Sequence, residues 1–353
     1  MSRDYGSEFA FELRVCAWAE RHWDTVSDAD AWFVARQLGT QSRRWDTLVV
    51  ECDPDGLAER GAFGEASLDS DLLYVVEHAP AEWTYYRDCL PHPGYPWRYV
   101  REAIHEAADQ GVVEKRKVGN RIEIRRIAEY PDWVERIVAI ENKPDLDASA
   151  ARVLADQVRT DVALGLADEV WVATQDDALF AKMPVEAGIL RFGDDDGGPA
   201  SVSVEWRPRA LDPSRHGTRV VDHPSGGDYD QSAAEFEYVE ADWKTEKRQA
   251  IAERAYARGW RSYANTMRPD CRHFTLQRDT AFDAFVPYCT AKGREVSAAE
   301  CAWACGDFSP EPPTWRQGSW PIEGGPGKTI KRVLADRRRR ERERWNERDG
   351  RGV

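Results

Sequence analysis

The chain has 353 residues, of which 42% are hydrophobic and 11% aromatic, and its formal net charge is −14. This composition is typical of a globular protein of about two to three domains, and it excludes wholesale disorder, a collagen-like repeat and a coiled-coil rod. No apolar stretch approaches the roughly 20 residues that cross a bilayer, and the N-terminus lacks the pattern of a signal peptide. We therefore expect a cytoplasmic protein with no membrane partner.

The charged residues suggest a particular environment. Arg outnumbers Lys by 40 to 9, and acidic residues outnumber both together, a balance typical of a surface adapted to concentrated salt. We therefore expect a halophilic host, in which local basic patches say more about partners than the total charge does. Residues 328–353 form one such patch, with 11 basic and 5 acidic residues and a net charge of +6. This segment is interpreted either as a solvated tail or as a nucleic-acid contact.

The first 65 residues combine helix and strand patterns. Residues 8–23 carry apolar side chains at helical spacing and predict an amphipathic helix, and residues 29–38 predict a second helix. A β-rich run then ends at Asp53-Pro54, which places Asp46 at the start of a strand.

Residues 66–130 are interpreted as an inserted module. Three helical patterns, each bounded by Pro or Gly, precede two strand-like runs around Gly119-Asn120. Three helices followed by a basic hairpin resemble a winged helix-turn-helix, a fold that presents such a hairpin to the phosphate backbone of DNA. The alternative is a winged helix used only for packing or protein contact, because its third helix also carries acidic residues. The candidate nucleic-acid-binding residues are Arg98, Arg101, Lys115, Arg116, Lys117 and Arg121.

Residues 131–207 return to alternating strands and helices, which indicates an α/β core. An apolar run ending at Lys143-Pro144 predicts a buried strand, a helix is predicted for residues 148–166, and three further strand patterns come after it. Residues 208–236 are rich in Gly, Asp, Pro and Ser and predict a linker. We expect a helical, Cys-rich segment over residues 237–327.

A charged pair closes the predicted strand that ends at Lys143. Because side chains alternate along a strand, Glu141 and Lys143 project from the same face. Such a pair is costly to bury unless its members pair or bind something. With Asp46 as a second carboxylate, the three residues would form a hard-cation site that holds Mg²⁺ or Mn²⁺, activates water and binds phosphate. The alternative is an ordinary ion pair at the end of a strand.

The order of these features resembles the PD-(D/E)XK nuclease superfamily, whose members have a restriction-endonuclease-like core, a mixed sheet flanked by helices. The resemblance covers residues 8–193 and rests on Asp46, on Glu141-x-Lys143, and on a following helix that carries Gln157 and Asp161. In the family a short hairpin joins the two carboxylate strands, whereas here 94 residues separate Asp46 from Glu141, so the winged-helix module would be an insertion.

The resemblance also implies roles for individual residues and for a cofactor. Asp46 and Glu141 would bind Mg²⁺ or Mn²⁺, Lys143 would be the catalytic lysine, and Gln157 an auxiliary polar residue. A carboxylate on the first helix often joins the metal site, and of Glu8 and Glu12 we favour Glu12.

Four cysteines lie within 35 residues near the C-terminus, with the spacing C-x17-C-x11-C-x3-C. Four thiolates match a tetrahedral Zn²⁺ site or an iron–sulfur cluster, and the third interpretation is unrelated buried or free thiols. The last two are expected to share one face of a helix, and His273 is an alternative ligand. The four are Cys271, Cys289, Cys301 and Cys305.

These patterns together predict a metal-dependent nuclease that hydrolyses DNA phosphodiester bonds. The alternative is a catalytically inactive, nuclease-like protein that binds DNA or acts as a regulator through the winged helix. Whether Asp46, Glu141 and Lys143 converge near one ion discriminates between the two. Gly-rich phosphate loops, nucleophile elbows and H-E-x-x-H pairs are missing from the sequence, so other chemistries have little support.

Overall fold

The structure is a computed structural model. It describes residues 8–40, 43–145, 148–176, 183–193, 202–222, 235–261, 271–279, 284–297, 300–301 and 305–309. The basic segment predicted at residues 328–353 lies outside these ranges. In the ranges above, no helix has the length and apolar character needed to cross a membrane.

The helices of the described residues are α1 Glu8–His22, α2 Pro54–Arg60, α3 Ser70–His78, α4 Tyr86–Cys89, α5 Trp97–Asp109, α6 Ala148–Leu164 and α7 Ala241–Arg258. The strands are β1 Ala31–Gly39, β2 Arg44–Cys52, β3 Thr84–Tyr85, β4 Val113–Val118, β5 Arg121–Arg126, β6 Val134–Asn142, β7 Glu169–Thr174, β8 Gly188–Phe192, β9 Val202–Trp206, β10 Gly217–Asp222, β11 Glu235–Val239, β12 Phe274–Asp279, β13 Ala284–Cys289 and β14 Arg294–Glu295.

A six-stranded mixed sheet forms the centre of the molecule, in the order β1-β2-β6-β7-β8-β9. Strands β1, β2 and β6 are antiparallel, β6, β7 and β8 are parallel, and β9 returns antiparallel to β8. Val49 and Ile140 pack with α1 on one face, while Leu48 and Ala139 pack with α6 and α7 on the other. The protein is therefore α/β, with helices on both faces of a mixed sheet.

Strand β1 corrects the helix that the sequence predicts at residues 29–38. The segment pairs with β2 along its whole length, from Ala31 opposite Cys52 to Gly39 opposite Arg44. Val34 packs on the α1 side and Ala35 on the α7 side, so both faces of the strand are buried. A strand buried on both faces lacks the polar–apolar alternation that distinguishes a strand from a helix.

Residues 63–130 fold around a hydrophobic cluster of their own. Helices α3 and α5 pack together, and a three-stranded sheet in the order β3-β5-β4 lies beside them. Leu72, Ile104 and Ile124 are among the buried residues of this cluster. Strands β4 and β5 are joined by Gly119-Asn120, and the positive φ of Gly119 (59°) is the conformation that the first central position of a type II′ turn requires.

A buried ion pair fixes this inserted module to the core. The Glu253 carboxylate, on α7, accepts hydrogen bonds from Arg60 Nε and Nη2, each at 2.5 Å. It also accepts from the backbone N–H of Leu68 (2.8 Å), where the chain enters the module, and from Tyr130 Oη (2.7 Å), where the chain leaves it. The side chains of Arg60 and Glu253 are both fully buried.

Two predictions for the C-terminal half are wrong. The predicted linker at residues 208–236 contains β10, which pairs antiparallel with β11. The predicted helical segment at residues 237–327 contains the helix α7, but its residues 274–295 include the three strands of the antiparallel sheet β12-β13-β14. Strand formation here depends on pairing with a neighbouring strand, which local composition does not report.

Candidate functional site

The ends of β2 and β6 bring two carboxylates together. Thr47 pairs with Ile140 in the antiparallel ladder, so the next position along each strand places Asp46 beside Glu141. Opposed residues of antiparallel strands project from the same face of the sheet. Asp46 Oδ2 accepts a hydrogen bond from the backbone N–H of Asn142 at 3.0 Å, which fixes the carboxylate against the end of β6.

Glu141 is a buried carboxylate with another negative charge next to it. It is only 2% exposed. Burial, followed by repulsion from Asp46, raises the pKa of Glu141 to about 8, although the Arg43 guanidinium opposes this rise. A cation bound between Asp46 and Glu141 would remove the repulsion, so the arrangement favours positive charge.

Arg43 supplies such a charge, and the sequence analysis missed it. Its Nη2 donates to Glu141 Oε1 at 2.5 Å and to Asp161 Oδ2 at 2.7 Å, and its Nε donates to Asp161 Oδ1 at 2.7 Å. Asp161, on α6, also accepts from the indole N–H of Trp45 at 2.9 Å. Arg43 therefore joins the carboxylate of β6 to a carboxylate on the helix that covers this face of the sheet.

Lys143 lies at the open edge of the same site. Its backbone N–H donates to the carbonyl of Ala173 on β7 at 2.9 Å, and its ammonium group pairs with Glu8 on α1. Burial alone would lower the pKa of Lys143, but the hydrogen bond from Lys143 to Glu8 and the charges of Glu8, Asp46 and Glu141 outweigh it and raise the pKa. Lys143 is therefore held cationic beside both carboxylates.

Glu12 on the first helix reaches the site through a glutamine. It accepts hydrogen bonds from Arg36 Nε at 2.8 Å and from Gln37 Nε2 at 2.9 Å, and Gln37 Nε2 also donates to Asp46 at 3.2 Å. Burial raises the pKa of Glu12. Gln37 has a positive φ of 53°, which is uncommon for a residue other than Gly, Asn or Asp and is typical of functional sites.

Gln157 lies on α6 one helical turn before Asp161, so the two share a face of the helix. Its Oε1 is buried and accepts no hydrogen bond from the described residues. A buried acceptor without a donor is costly, so a bound ion or water molecule at this position would stabilise it.

The described residues contain no group of three or more His, Cys, Asp or Glu side chains arranged to hold a metal ion. Asp46 and Glu141 are two carboxylates, while Asp161 is turned toward Arg43 and Glu12 toward Arg36. Two carboxylates are the number with which proteins often hold Mg²⁺, since water and substrate phosphate supply the remaining ligands.

The candidate nucleic-acid-binding residues divide into two sets. Lys115 pairs with Asp109, and Arg116 pairs with Glu123 and lies over the ring of Trp83. The remaining four are exposed and make no ion pair with a described carboxylate. They are Arg98, Arg101, Lys117 and Arg121.

An exposed aromatic surface accompanies the four exposed cations. Tyr95 and Tyr99 are 40% and 45% exposed at the start of α5, and Arg98 stacks on Tyr99. The acidic residues of α5 are Glu102, next to Arg101, and Glu106 and Asp109 toward the other end of the helix. The N-terminal half of α5 and the β4–β5 hairpin therefore present a basic and aromatic surface.

The four clustered cysteines lie in a different part of the molecule. They line one small cavity beside β12, β13 and β14, and each is partly exposed. His273 is not among the cavity-lining residues, and its ring interacts with Thr290 Oγ1 at 3.3 Å.

Fold and site together define an α/β protein with a mixed sheet, an inserted helix-and-hairpin module and a carboxylate pair beside a lysine. The chain belongs to a family of unknown function, DUF5787, whose model matches residues 33–310. The match includes Asp46, Glu141 and Lys143, the whole inserted module and the four clustered cysteines. None of the curated proteins and none of the solved structures matches the chain.

Proposed function

We propose that this protein is a metal-dependent nuclease that hydrolyses DNA phosphodiester bonds at Asp46, Glu141 and Lys143. The observation that carries the proposal is that β2 and β6, separated by a whole inserted module, are neighbours in one sheet and bring the three side chains to one end of it. With β1, α2 and the inserted module left aside, the elements α1, β2, β6, α6 and β7 follow the order helix, strand, strand, helix, strand on which the nuclease resemblance rests.

The site has the chemistry of a Mg²⁺ or Mn²⁺ site. Its donors are carboxylate oxygens, the pKa of Glu141 is raised by burial and then by the adjacent Asp46 carboxylate, and the buried Gln157 Oε1 has no donor among the described residues. Asp46 and Glu141 would hold the ion. When bound, the metal would activate a water molecule and neutralise charge at the phosphate.

The other side chains then have separate tasks. Lys143, which is cationic and partly exposed, would bind the scissile phosphate or position the attacking water. Gln37 fixes the Asp46 carboxylate and links it to Glu12, so Glu12 acts as a positioning residue rather than a metal ligand. The exposed cations of α5 and the β4–β5 hairpin would hold the DNA backbone.

One observation favours the second candidate function, a nuclease-like protein that binds DNA without cutting it. Arg43 forms ion pairs with Glu141 and Asp161 and neutralises negative charge that would otherwise attract a metal ion. If Arg43 keeps these ion pairs in the presence of Mg²⁺, the site cannot bind the metal, and the protein acts through its inserted module alone.

Cleavage of supercoiled plasmid tests the proposal. Purified protein is incubated at high salt with Mg²⁺ or Mn²⁺, and we expect nicked or linear product. Loading with Fe²⁺, hydrogen peroxide and ascorbate should in parallel cut the protein's own backbone near Asp46 and Glu141, because bound Fe²⁺ reduces peroxide to hydroxyl radicals and ascorbate regenerates the Fe²⁺. A plasmid that is shifted on a gel but never cut, with no backbone cleavage, would favour the binding protein.

Arg43→Gln tests whether Arg43 competes with the metal. Removing its charge leaves Glu141 and Asp46 with no neighbouring guanidinium, so we expect Mn²⁺ to bind several-fold more tightly in calorimetric titrations. The adjacent, exposed Arg44→Gln is the matched control and should bind Mn²⁺ as the wild type does. Unchanged Mn²⁺ affinity in Arg43→Gln would show that Arg43 is not a competitor.

The inserted module should account for most of the DNA affinity. We expect the Arg98→Ala/Arg101→Ala variant to bind duplex DNA about tenfold less tightly, measured at the lowest salt concentration at which the protein stays folded. The slope of log K against log salt concentration should become smaller in magnitude by about 2, because two phosphate contacts are lost. Arg152→Ala/Arg209→Ala, which removes two exposed arginines of the core, is the control. Equal losses in both variants, measured by fluorescence anisotropy, would mean that the module is not a specific DNA contact.

A further inference from the structure

Four cysteines near the C-terminus, within 35 residues of one another, meet at one small cavity. Cys271 precedes β12, Cys289 ends β13, and Cys301 and Cys305 follow β14. All four line a cavity of about 20 Å³, together with Phe274, Val296 and Phe308. We propose that Cys271, Cys289, Cys301 and Cys305 bind one structural Zn²⁺ ion as a tetrathiolate.

The backbone bends sharply just after three of the four cysteines. The carbonyl of Cys271 accepts from the N–H of Phe274 at 3.1 Å, and that of Cys305 from the N–H of Phe308 at 3.2 Å. The carbonyl of Cys289 accepts from the N–H of Gly293 at 2.8 Å, and Gly293 has a positive φ of 66°. Each of these turns begins at a cysteine, and all three of these cysteines line the cavity.

The β12-β13-β14 sheet brings the four cysteine-bearing segments together. Cys289 is opposite Phe274 in the β12–β13 ladder, which places it near the turn that begins at Cys271. The N–H of Arg272 donates to the carbonyl of Ser309 at 2.8 Å and ties the Cys271 segment to the Cys305 segment. Two independent contacts therefore connect the cysteine-bearing segments in pairs.

The three strands need an additional source of stability. Among their described side chains and that of Val296, only a few are buried, with Val286 and Val296 the buried aliphatic ones. Phe274, Leu276 and Cys301 are partly buried against the cluster that contains α1. Small sheets with so little apolar burial are marginal in water, and a structural metal is one of the devices that stabilise them. Zn²⁺ bound by cysteines contributes its binding free energy directly to folding.

Four cysteine thiolates are a complete donor set for one structural Zn²⁺ ion, whereas an iron–sulfur cluster needs inorganic sulfide as well. The cavity of about 20 Å³ has room for one ion or one water molecule. The described residues contain no group of three thiols close enough to hold an ion, so zinc binding would draw the four side chains together. Lys292, Glu300 and Asp307 line the same cavity, so the zinc ion itself would neutralise the thiolates.

Metal analysis of the whole chain tests the proposal. Protein purified without chelator should contain about one Zn²⁺ per chain by mass spectrometry of the elements. Cys271→Ser and Cys301→Ser should each lose most of this zinc. Cys89→Ser, which removes a partly exposed thiol from the inserted module, is the matched control and should keep it.

A second measurement remains decisive if the serine variants fail to fold. Native wild-type protein is titrated with a mercurial thiol reagent while a chromogenic chelator reports free zinc. We expect zinc to be released in step with modification of four thiols, and replacement of the zinc by Co²⁺ should give the visible absorption of tetrahedral cobalt thiolate. Iron with inorganic sulfide, the absence of stoichiometric metal, or zinc that survives modification of these thiols would each overturn the proposal.

Discussion

Replacing Glu141 by Gln is expected to lower the rate of plasmid cleavage by about a thousandfold. The amide has nearly the same shape but no charge, and a bound metal ion supplies several kcal/mol of transition-state stabilisation that depends on its carboxylate ligands. Because Glu141 is buried and burial favours its neutral form, the Gln side chain suits the site and the fold should persist. DNA binding through the inserted module should stay within about twofold of the wild type.

Lys143→Ala should affect metal binding and cleavage differently from Glu141→Gln. Lys143 pairs with Glu8 and is not a ligand of the metal, so its loss should not weaken Mn²⁺ binding, while cleavage falls. Lys143→Arg should recover part of the activity if the side chain serves mainly as a positive charge at the phosphate. Measuring metal affinity and cleavage on the same preparations separates the lysine's task from that of Glu141.

Two control variants match these changes. Glu205→Gln removes an exposed carboxylate from β9, and Lys247→Ala removes a partly buried lysine from α7. Both should cut plasmid at the wild-type rate. Wild-type activity in Glu141→Gln and Lys143→Ala alike would rule out the proposed nuclease site, whatever the metal content of the protein.

Glu253→Ala should destabilise the protein by about 3–5 kcal/mol. Arg60 and Glu253 are fully buried, and removing one partner leaves an uncompensated charge inside the protein. The same change deprives the Leu68 N–H and the Tyr130 hydroxyl of their acceptor, at the two points where the chain enters and leaves the inserted module. We therefore expect both a lower free energy of unfolding in urea and a module that separates more readily from the core.

Limited proteolysis should distinguish separation of the inserted module from unfolding of the whole protein. In Glu253→Ala we expect early cuts within residues 64–68 and 127–132, which flank the module, before the core is degraded. Glu246→Ala, an exposed change on the same helix, should alter stability by no more than about 0.5 kcal/mol. Equal stability of Glu253→Ala and the wild type would mean that this buried network does not hold the module in place.

Local patterns were sufficient to locate much of the core. The apolar spacing of residues 8–23 predicted α1, and the runs that end at Cys52 and Asn142 predicted β2 and β6. The strands are apolar along their length because both faces of β2 and β6 are buried. Helix α1 is buried more widely than the amphipathic pattern predicts, since residues 11–13 and 15–19 are all buried. The positions of Asp46, Glu141 and Lys143 on strand ends followed from the same patterns.

The sequence by itself determined which residues carry charge and metal-binding chemistry, since side-chain type and local period are properties of short segments. Only the tertiary structure decided which of them meet. Arg43 and Gln37 have no motif, yet strand pairing over long distances places Arg43 between Glu141 and Asp161 and Gln37 between Glu12 and Asp46. Pairing with β2 made β1 a strand, where its local pattern predicted a helix, and the β12-β13-β14 sheet gathered four cysteines around one cavity. These contacts depend on which strands pair and in which register, and the local apolar pattern does not encode either.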